Sequence, residues 1–321
     1  MSKSDDVLIG ATGLLGSTLI NQRPFSVTAR STTIAALAGQ AFDMIFIAAA
    51  KGSMFEANKA PAQDADHIAS LTSSLGKISA DRAVLISTVA VLESFDGGFD
   101  EDTARFRDDL AYGRNRRTLE ISVAKLFPKT LIVRLPALFG VPLKKNFVFD
   151  LMNPVPTMLT SGRRDALEAA LPDAQAKRLD TLYSHARDLD MWVLDRAALD
   201  ADPDKPALET AVIEAGFEAA RFVHRDSTFQ YYDLRNLSAD IDRALRGGVE
   251  VLHLAPEPVA ASAVHQRLTG RRMSYTEAKL HKEDMQTSHA ELFRRTGRYI
   301  ADGDDVLDTL SAWVTANGGC R

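Results

Sequence analysis

Residues 7–18 read Val-Leu-Ile-Gly-Ala-Thr-Gly-Leu-Leu-Gly-Ser-Thr, a short apolar run followed by glycines at 10, 13 and 16. Glycine weakens strands and helices alike. Three of them where a strand hands over to a helix must serve another purpose. A helix N-terminus presents unpaired amide groups and a partial positive charge, so it attracts phosphate. Side chains in the turn would hold a diphosphate away. Glycine lets the backbone approach it and lets the helix lie close to the strand. The spacing is G-x-x-G-x-x-G, not the commonest dinucleotide fingerprint, and a turn without a ligand is the competing reading. Gly10, Thr12, Gly13, Leu14, Leu15 and Gly16 are the candidate cofactor contacts of this stretch.

The rest of the first half supports that placement. Branched apolar runs at 7–9, 25–28, 44–48, 83–87 and 130–135 alternate with helical patterns at 14–21, 64–78 and 112–126. Such alternation predicts a doubly wound parallel sheet covered by helices on both faces. Residues 1–143 are expected to form a dinucleotide-binding domain. Residues 144–321 are expected to form mainly a smaller mixed α/β substrate lobe, with about 221–255 returning to the main sheet. Within that half, 165–200 read as helices, 249–254 as a strand and 305–317 as a terminal amphipathic helix.

Composition excludes several alternatives. The 321 residues carry 38 Lys and Arg against 43 Asp and Glu, a formal charge of −5 that argues against a general nucleic-acid binder. No apolar run is long enough to span a bilayer, so no membrane partner is expected. The N-terminus lacks the apolar core of a secretion signal. The only cysteine is Cys320, so no internal disulfide can form. A cytoplasmic protein is the simplest expectation. The histidines show no metal-ligand spacing, and no metal is expected.

The end of the second strand discriminates between cofactors. An acidic residue there holds the ribose hydroxyls of NAD, whereas an arginine accommodates the extra phosphate of NADP. The sequence offers Arg30 and Ser31. The cofactor is therefore read as NADP or NAD, with NADP favoured. The fourth strand ends at Ser87 and Thr88, on the edge where open α/β sheets place ligands. Tyr112 and Arg116 follow, four residues apart and hence on one helix face. A tyrosine beside a fixed cation is expected to lose its proton more easily. It can exchange a proton with a sugar hydroxyl while a nicotinamide exchanges hydride with the same carbon, and Thr88 can bond the reacting oxygen.

These pieces together resemble the extended short-chain dehydrogenase/reductase family, the NAD-dependent epimerase/dehydratase group. They are Gly10–Gly16, Ala48-Ala49-Ala50, Ser87-Thr88, Tyr112 with its basic partner, and the Arg-Leu-Pro-Ala-Leu-Phe-Gly stretch at 134–140, in that order over about the first 150 residues. The resemblance implies a Rossmann-like fold and a nucleotide-linked sugar as substrate. It gives Thr88 and Tyr112 the catalytic roles and adds Ala48, Ala49, Ala50 and Leu135 to the cofactor contacts. Arg116 takes the place of the family's lysine, which acts in catalysis and on the cofactor. An arginine keeps the charge but presents a longer, planar fork. Beside an enzyme, a dinucleotide-binding regulatory or scaffold protein with an impaired site therefore stays open. Dehydratases of the family carry Asp-Glu after the threonine. Val89-Ala90 stand here, so a reductase or epimerase is favoured. For the substrate, Lys144, Lys145 and Asn146 follow the 134–140 stretch, and Arg225 is a second phosphate candidate. Gln230, Tyr231 and Tyr232 are candidates to read the sugar or base. The family also pairs through two helices, which allows a homodimer over 64–78 and 112–126.

Overall fold

The structure is a computed structural model that describes residues 5–141, 143 and 145–320. The chain divides into two compact units. The first comprises Met1–Leu143, Thr228–Val259 and Lys282–Leu310; the second comprises Lys144–Ser227, Ala260–His281 and Ser311–Arg321.

The first unit is built on a parallel sheet. Its strands are β1 (Asp6–Ile9), β2 (Val27–Ala29), β3 (Ala41–Ile47), β4 (Ser79–Thr88), β5 (Thr130–Leu135) and a late strand, Val251–His253. They lie in the order Val251–His253, β5, β4, β3, β1, β2, and every pairing is parallel. The covering helices include α1 (Leu14–Gln22), α2 (Met54–Lys59), α3 (Pro61–Leu75) and α4 (Ala111–Leu126). The doubly wound sheet expected from the sequence is present.

Both faces of the sheet are buried over its centre, which is why residues 7–9, 44–47 and 83–86 are apolar throughout. Val7, Ile9, Ile45, Ile47 and Leu85 pack on one side with Ile68, Leu71 and Leu75 of α3 and Leu119 and Val123 of α4. Leu8, Phe46, Val84 and Ile86 pack on the other with Leu19 of α1 and with Leu237 and Ile241 of a later helix. Each fully buried side chain of this kind contributes about 1.5–3 kcal/mol. Helix α3 starts at Pro61, before the expected 64, because proline at a first helical position loses no intrahelical hydrogen bond.

The turn after β1 uses two of its glycines for the fold itself. Gly10 has φ +100°, which side-chain-bearing residues rarely adopt, and its N–H donates to Ala29 O at 2.8 Å. A Cβ on Gly16 would lie 2.1 Å from Gly10 O, so glycine there lets α1 close onto the turn.

The second unit departs from the expected run of helices over 165–200. After the helices Ser161–Ala170 and Asp173–Leu182 comes an antiparallel hairpin, Tyr183–Ala186 with Met191–Leu194, extended by Met158–Leu159. The physical reason is burial of the paired residues at its open end, Tyr183 and Leu194. Tyr183 and Leu194 face a core formed with Leu167, Leu179 and Leu199, while Ser184 and His185 are exposed. Among the described residues no helix is long and apolar enough to cross a membrane, and no group of His, Cys, Asp or Glu is placed to hold a metal ion.

Gly16→Ala should destabilise the protein by about 1–3 kcal/mol, because overpacking outweighs alanine's helix preference. Urea denaturation followed by circular dichroism measures it. An unchanged midpoint would contradict the close approach of α1 to Gly10.

Candidate active site

Gly13, the middle glycine, differs from the other two. Its φ is −76°, and a Cβ placed on it would meet only Gly10 O, at 3.7 Å. Nothing within the protein requires glycine there. Gly13 is the N-cap of α1, no side chain caps that end, and the first turn holds no acidic residue. The turn thus leaves an electropositive helix end open to an anion. Thr12 is exposed, and Leu14 and Leu15 are half-buried beside it. Arg30 follows the last residue of β2 and is exposed, with Ser31 half-buried next to it. Ala48, Ala49 and Ala50 are half-buried after β3. The Leu135 side chain lies in the core, leaving only its backbone for a ligand. The groups present fit a dinucleotide phosphate.

Strand β4 ends at Thr88 and runs into a 3-10 turn, Val89–Val91. Thr88 Oγ1 accepts a hydrogen bond from Ala90 N–H at 3.1 Å. Helix α4 sits directly against this turn: a Cβ on Gly113 would lie 2.2 Å from Ala90 O. That approach sets the preceding residue, Tyr112, beside Thr88. Asn58 of α2 fixes the helix start by accepting from Tyr112 N–H at 2.9 Å.

Arg116 is buried, and its guanidinium carbon lies 4.5 Å from the Tyr112 ring centroid. Its planar fork is spent on Asp64 of α3. Arg116 Nη1 donates to Asp64 Oδ2 at 2.7 Å, and Nη2 donates to Asp64 Oδ1 at 3.0 Å and to Lys51 O at 2.5 Å. Asn115 Nδ2 adds a hydrogen bond to Asp64 Oδ2 at 2.9 Å. Burial alone pushes the Asp64 carboxyl up, but the hydrogen bonds from Arg116 and Asn115 outweigh it and hold the group below its ordinary value.

The expected easier ionisation of Tyr112 is not what this environment produces. Burial pushes the phenol above its ordinary value, and Asp64 adds to that. The Arg116 charge and the hydrogen bonds from Thr88 and Arg116 act the other way and lose. The sequence shows the cation four residues on, but not the anion that faces it from α3.

Beneath Thr88 lies a buried polar cluster centred on Glu120 of α4. Its Oε1 accepts from Ser87 Oγ at 2.6 Å and from Arg134 Nε at 3.0 Å. Its Oε2 accepts from Arg134 Nη2 at 2.7 Å and Arg117 Nη1 at 2.8 Å. Arg134 Nη1 reaches His253 Nε2 at 3.1 Å, while Glu101 accepts from the backbone N–H groups of His253 at 2.6 Å and Ser288 at 2.8 Å. Burial pushes the Glu120 carboxyl up, yet Arg134, Ser87 and Arg117 together hold it below its ordinary value.

The substrate candidates are dispersed. In the second unit Lys145 is exposed. Asn146 has φ 109°, and its side chain caps a short helix, Phe147–Met152, by accepting from Phe149 N–H at 3.1 Å. Lys144 lies outside the described residues. Arg225 Nε is 3.4 Å from Asp226 Oδ1. Gln230, in the first unit, needs correction. It is fully buried, its Nε2 donates to Pro256 O at 2.5 Å and Met285 O at 2.7 Å, and its Oε1 accepts from Met285 N–H at 2.6 Å. With its amide spent, it is a strut and has nothing left for a sugar. Tyr231 and Tyr232 are buried too, the latter donating to Asp240 Oδ2 at 2.7 Å.

Sequence reasoning missed Asp64, Gly113, Glu120 and His253. Only Gly113 carried a local signal: a glycine inside a helical pattern, which often marks a close backbone approach.

No protein-family model and no curated protein sequence matches this chain. Solved structures do share its fold. The dTDP-4-dehydrorhamnose reductase from Bacillus anthracis, in complex with NADP, is 11% identical over 98% of this chain and 99% of that one, with a TM-score of 0.60. The UDP-N-acetylglucosamine 4-epimerase from Methanobrevibacter ruminantium, in complex with UDP-N-acetylmuramic acid, is 10% identical over 99% and 100%, with a TM-score of 0.59. MoeE5, in complex with UDP-glucose and NAD, is 14% identical over 98% and 99%, with a TM-score of 0.56. The chain thus shares its fold with these sugar-nucleotide reductase and epimerase structures.

Two measurements test the packing of this site. Gly113→Ala should cost about 1–3 kcal/mol, since a backbone carbonyl stands where the methyl group would go. Glu120→Gln leaves Arg134 uncompensated and should cost about 3–5 kcal/mol at neutral pH. Because the folded carboxyl sits below its unfolded value, its contribution is present above the ordinary glutamate range. It is lost as pH falls through that range towards the folded value. The urea midpoint of the wild type should therefore drop more steeply on acidification than that of the variant. Parallel curves would remove Glu120 as a source of the acid sensitivity.

Proposed function

We propose that the protein is an NAD(P)-dependent reductase or epimerase acting on a nucleotide-linked sugar, with Tyr112 as acid/base and Thr88 as its partner. The observation that carries this reading is the approach of Tyr112 to Thr88 at the carboxyl end of β4, in the sheet whose β1 ends in the open glycine turn. Support also comes from structures of the same fold that hold NADP, or NAD with UDP-glucose.

When bound, the nicotinamide supplies or accepts a hydride. This chain's residues do the rest. The first-turn amides of α1 hold the diphosphate, and Arg30 with Ser31 reads the 2′-phosphate of NADP. Thr88 Oγ1 accepts from Ala90 and its hydroxyl hydrogen-bonds Tyr112, so a reacting oxygen placed between the two hydroxyls would take that O–H. Tyr112 exchanges a proton with that same oxygen. Val89 and Ala90 carry no proton-transfer group, which disfavours a dehydratase. Lys145 and Arg225 are the cations an anionic substrate group would meet in the second unit. A second copy of the chain would cover the groove between α3 and α4, lined by Ala65, Ala69, Thr72 and Thr118.

A second reading, a dinucleotide-binding regulatory or scaffold protein, is favoured by the engagement of Arg116 with Asp64 and Lys51. The two readings part on turnover.

Tyr112→Phe should abolish hydride transfer with NADPH and a nucleotide-linked keto sugar, while cofactor affinity by calorimetry stays within about threefold. Normal turnover in that variant removes tyrosine acid/base catalysis; no turnover by the wild type across a panel of such sugars favours the binder. Arg30→Ala should weaken NADP binding by roughly 10- to 100-fold, as for a charged hydrogen bond, and leave NAD binding unchanged. Equal losses for both cofactors would show that Arg30 does not read the phosphate. Gly13→Ala should stay within about 1 kcal/mol of wild-type stability yet bind both cofactors more weakly.

A further inference from the structure

The Asp64–Arg116 pair is more than a structural tie. Arg116 and Asp64 are 3% and 5% exposed at their side chains, and the carboxylate takes both arms of the guanidinium. Three Arg116 N–H groups go to Asp64 and Lys51 O, and the cation stands against the Tyr112 ring with its charge balanced by Asp64. Asp64 lies on a different helix and belongs to none of the catalytic or binding residues assigned above.

We propose that Asp64 is a positioning residue that clamps Arg116 beside the Tyr112 ring and balances its charge, so that the acid/base tyrosine faces an ion pair rather than a bare cation.

This rests on Tyr112 being the acid/base. In carbonyl reduction, for which Tyr112 would supply the proton, the substrate carbonyl carbon would receive hydride from a bound reduced nicotinamide. The Tyr112 O–H bond breaks and its proton passes to the carbonyl oxygen, giving an alcohol and an oxidised nicotinamide. The phenolate is then reprotonated from water. Burial first, with Asp64 reinforcing it, raises the proton affinity of Tyr112.

The groups around the ring define what else must be controlled. Arg116 lies on the same helix, and Asp64 faces it from α3 with His67 behind. Arg107 lies in the segment before α4, and Lys51, whose side chain is exposed, in the loop after β3. Thr88 and Asn58 are the uncharged neighbours.

The test needs neither substrate nor cofactor. The protein has 6 tyrosines, so tyrosinate absorbance is titrated in the full chain and the Tyr112→Phe curve is subtracted to isolate Tyr112. The wild-type midpoint should lie above that of free tyrosine, about 10. Asp64→Asn keeps the shape and an acceptor for Arg116 but removes the balancing charge, so the midpoint should fall by about one pH unit or more. Arg116→Gln removes the cation instead, and the midpoint should rise. A purely structural role for the pair would not move the two variants in opposite directions. A midpoint that stays or rises in Asp64→Asn overturns the proposal. So does a wild-type midpoint below that of free tyrosine, a reading that stands even if a variant fails to fold. Failure of the underlying assignment looks different: Tyr112→Phe then reduces the substrate at the normal rate, whatever Asp64 does to the titration.

Discussion

The Glu120–Arg134 ion pair holds the working edge of the sheet together. Glu120 reaches from α4 to Ser87 on β4 and to Arg134 on β5, while Arg134 passes on to His253 on the late strand. Buried charges are expensive unless every arm is satisfied. This cluster meets that condition by drawing on three neighbouring strands and a helix. Its consequence is positional. Ser87 precedes Thr88, and Glu120 lies on the helix that carries Tyr112, so the carboxylate fixes both partners of the proposed chemistry from below.

Above that base, a second ion pair sets the electrostatics. Burial and hydrogen bonding pull the proton affinity of Tyr112 in opposite directions, and burial is the larger. Arg116 works against burial, and Asp64, which pairs with both of its terminal nitrogens, opposes it. The structure thus separates two properties that a tyrosine–cation spacing seems to fuse. One is the presence of a cation beside the ring; the other is net positive potential at the phenol oxygen.

The parts of this arrangement that were legible in the sequence share a physical cause. Strands buried on both faces must be continuously apolar, so Val7–Ile9 and the core of β4 announced themselves. A glycine turn between strand and helix has few uses, and Gly10 and Gly16 indeed serve the close packing there. Tyr112 and Arg116 were found because a helix makes residues four apart neighbours. What escaped depends on distant partners. Asp64 is 52 residues from Arg116, and no local pattern pairs them. Gln230 sits in a polar-looking stretch, yet its amide closes on backbone from 256 and 285. The hairpin at 183–194 escaped because each strand has four residues and neither alternates between buried and exposed.

The contact between Gly113 and the Ala90 carbonyl has a mechanical meaning as well. With no side chain between them, the start of α4 and the turn after β4 have no compliant layer to absorb relative motion. A side-chain interface can slide by changing rotamers; two backbones in contact can only part. The separation between the phenol and the threonine hydroxyl is therefore inherited from main-chain geometry, and it would survive extensive replacement of the surrounding side chains so long as position 113 stays bare.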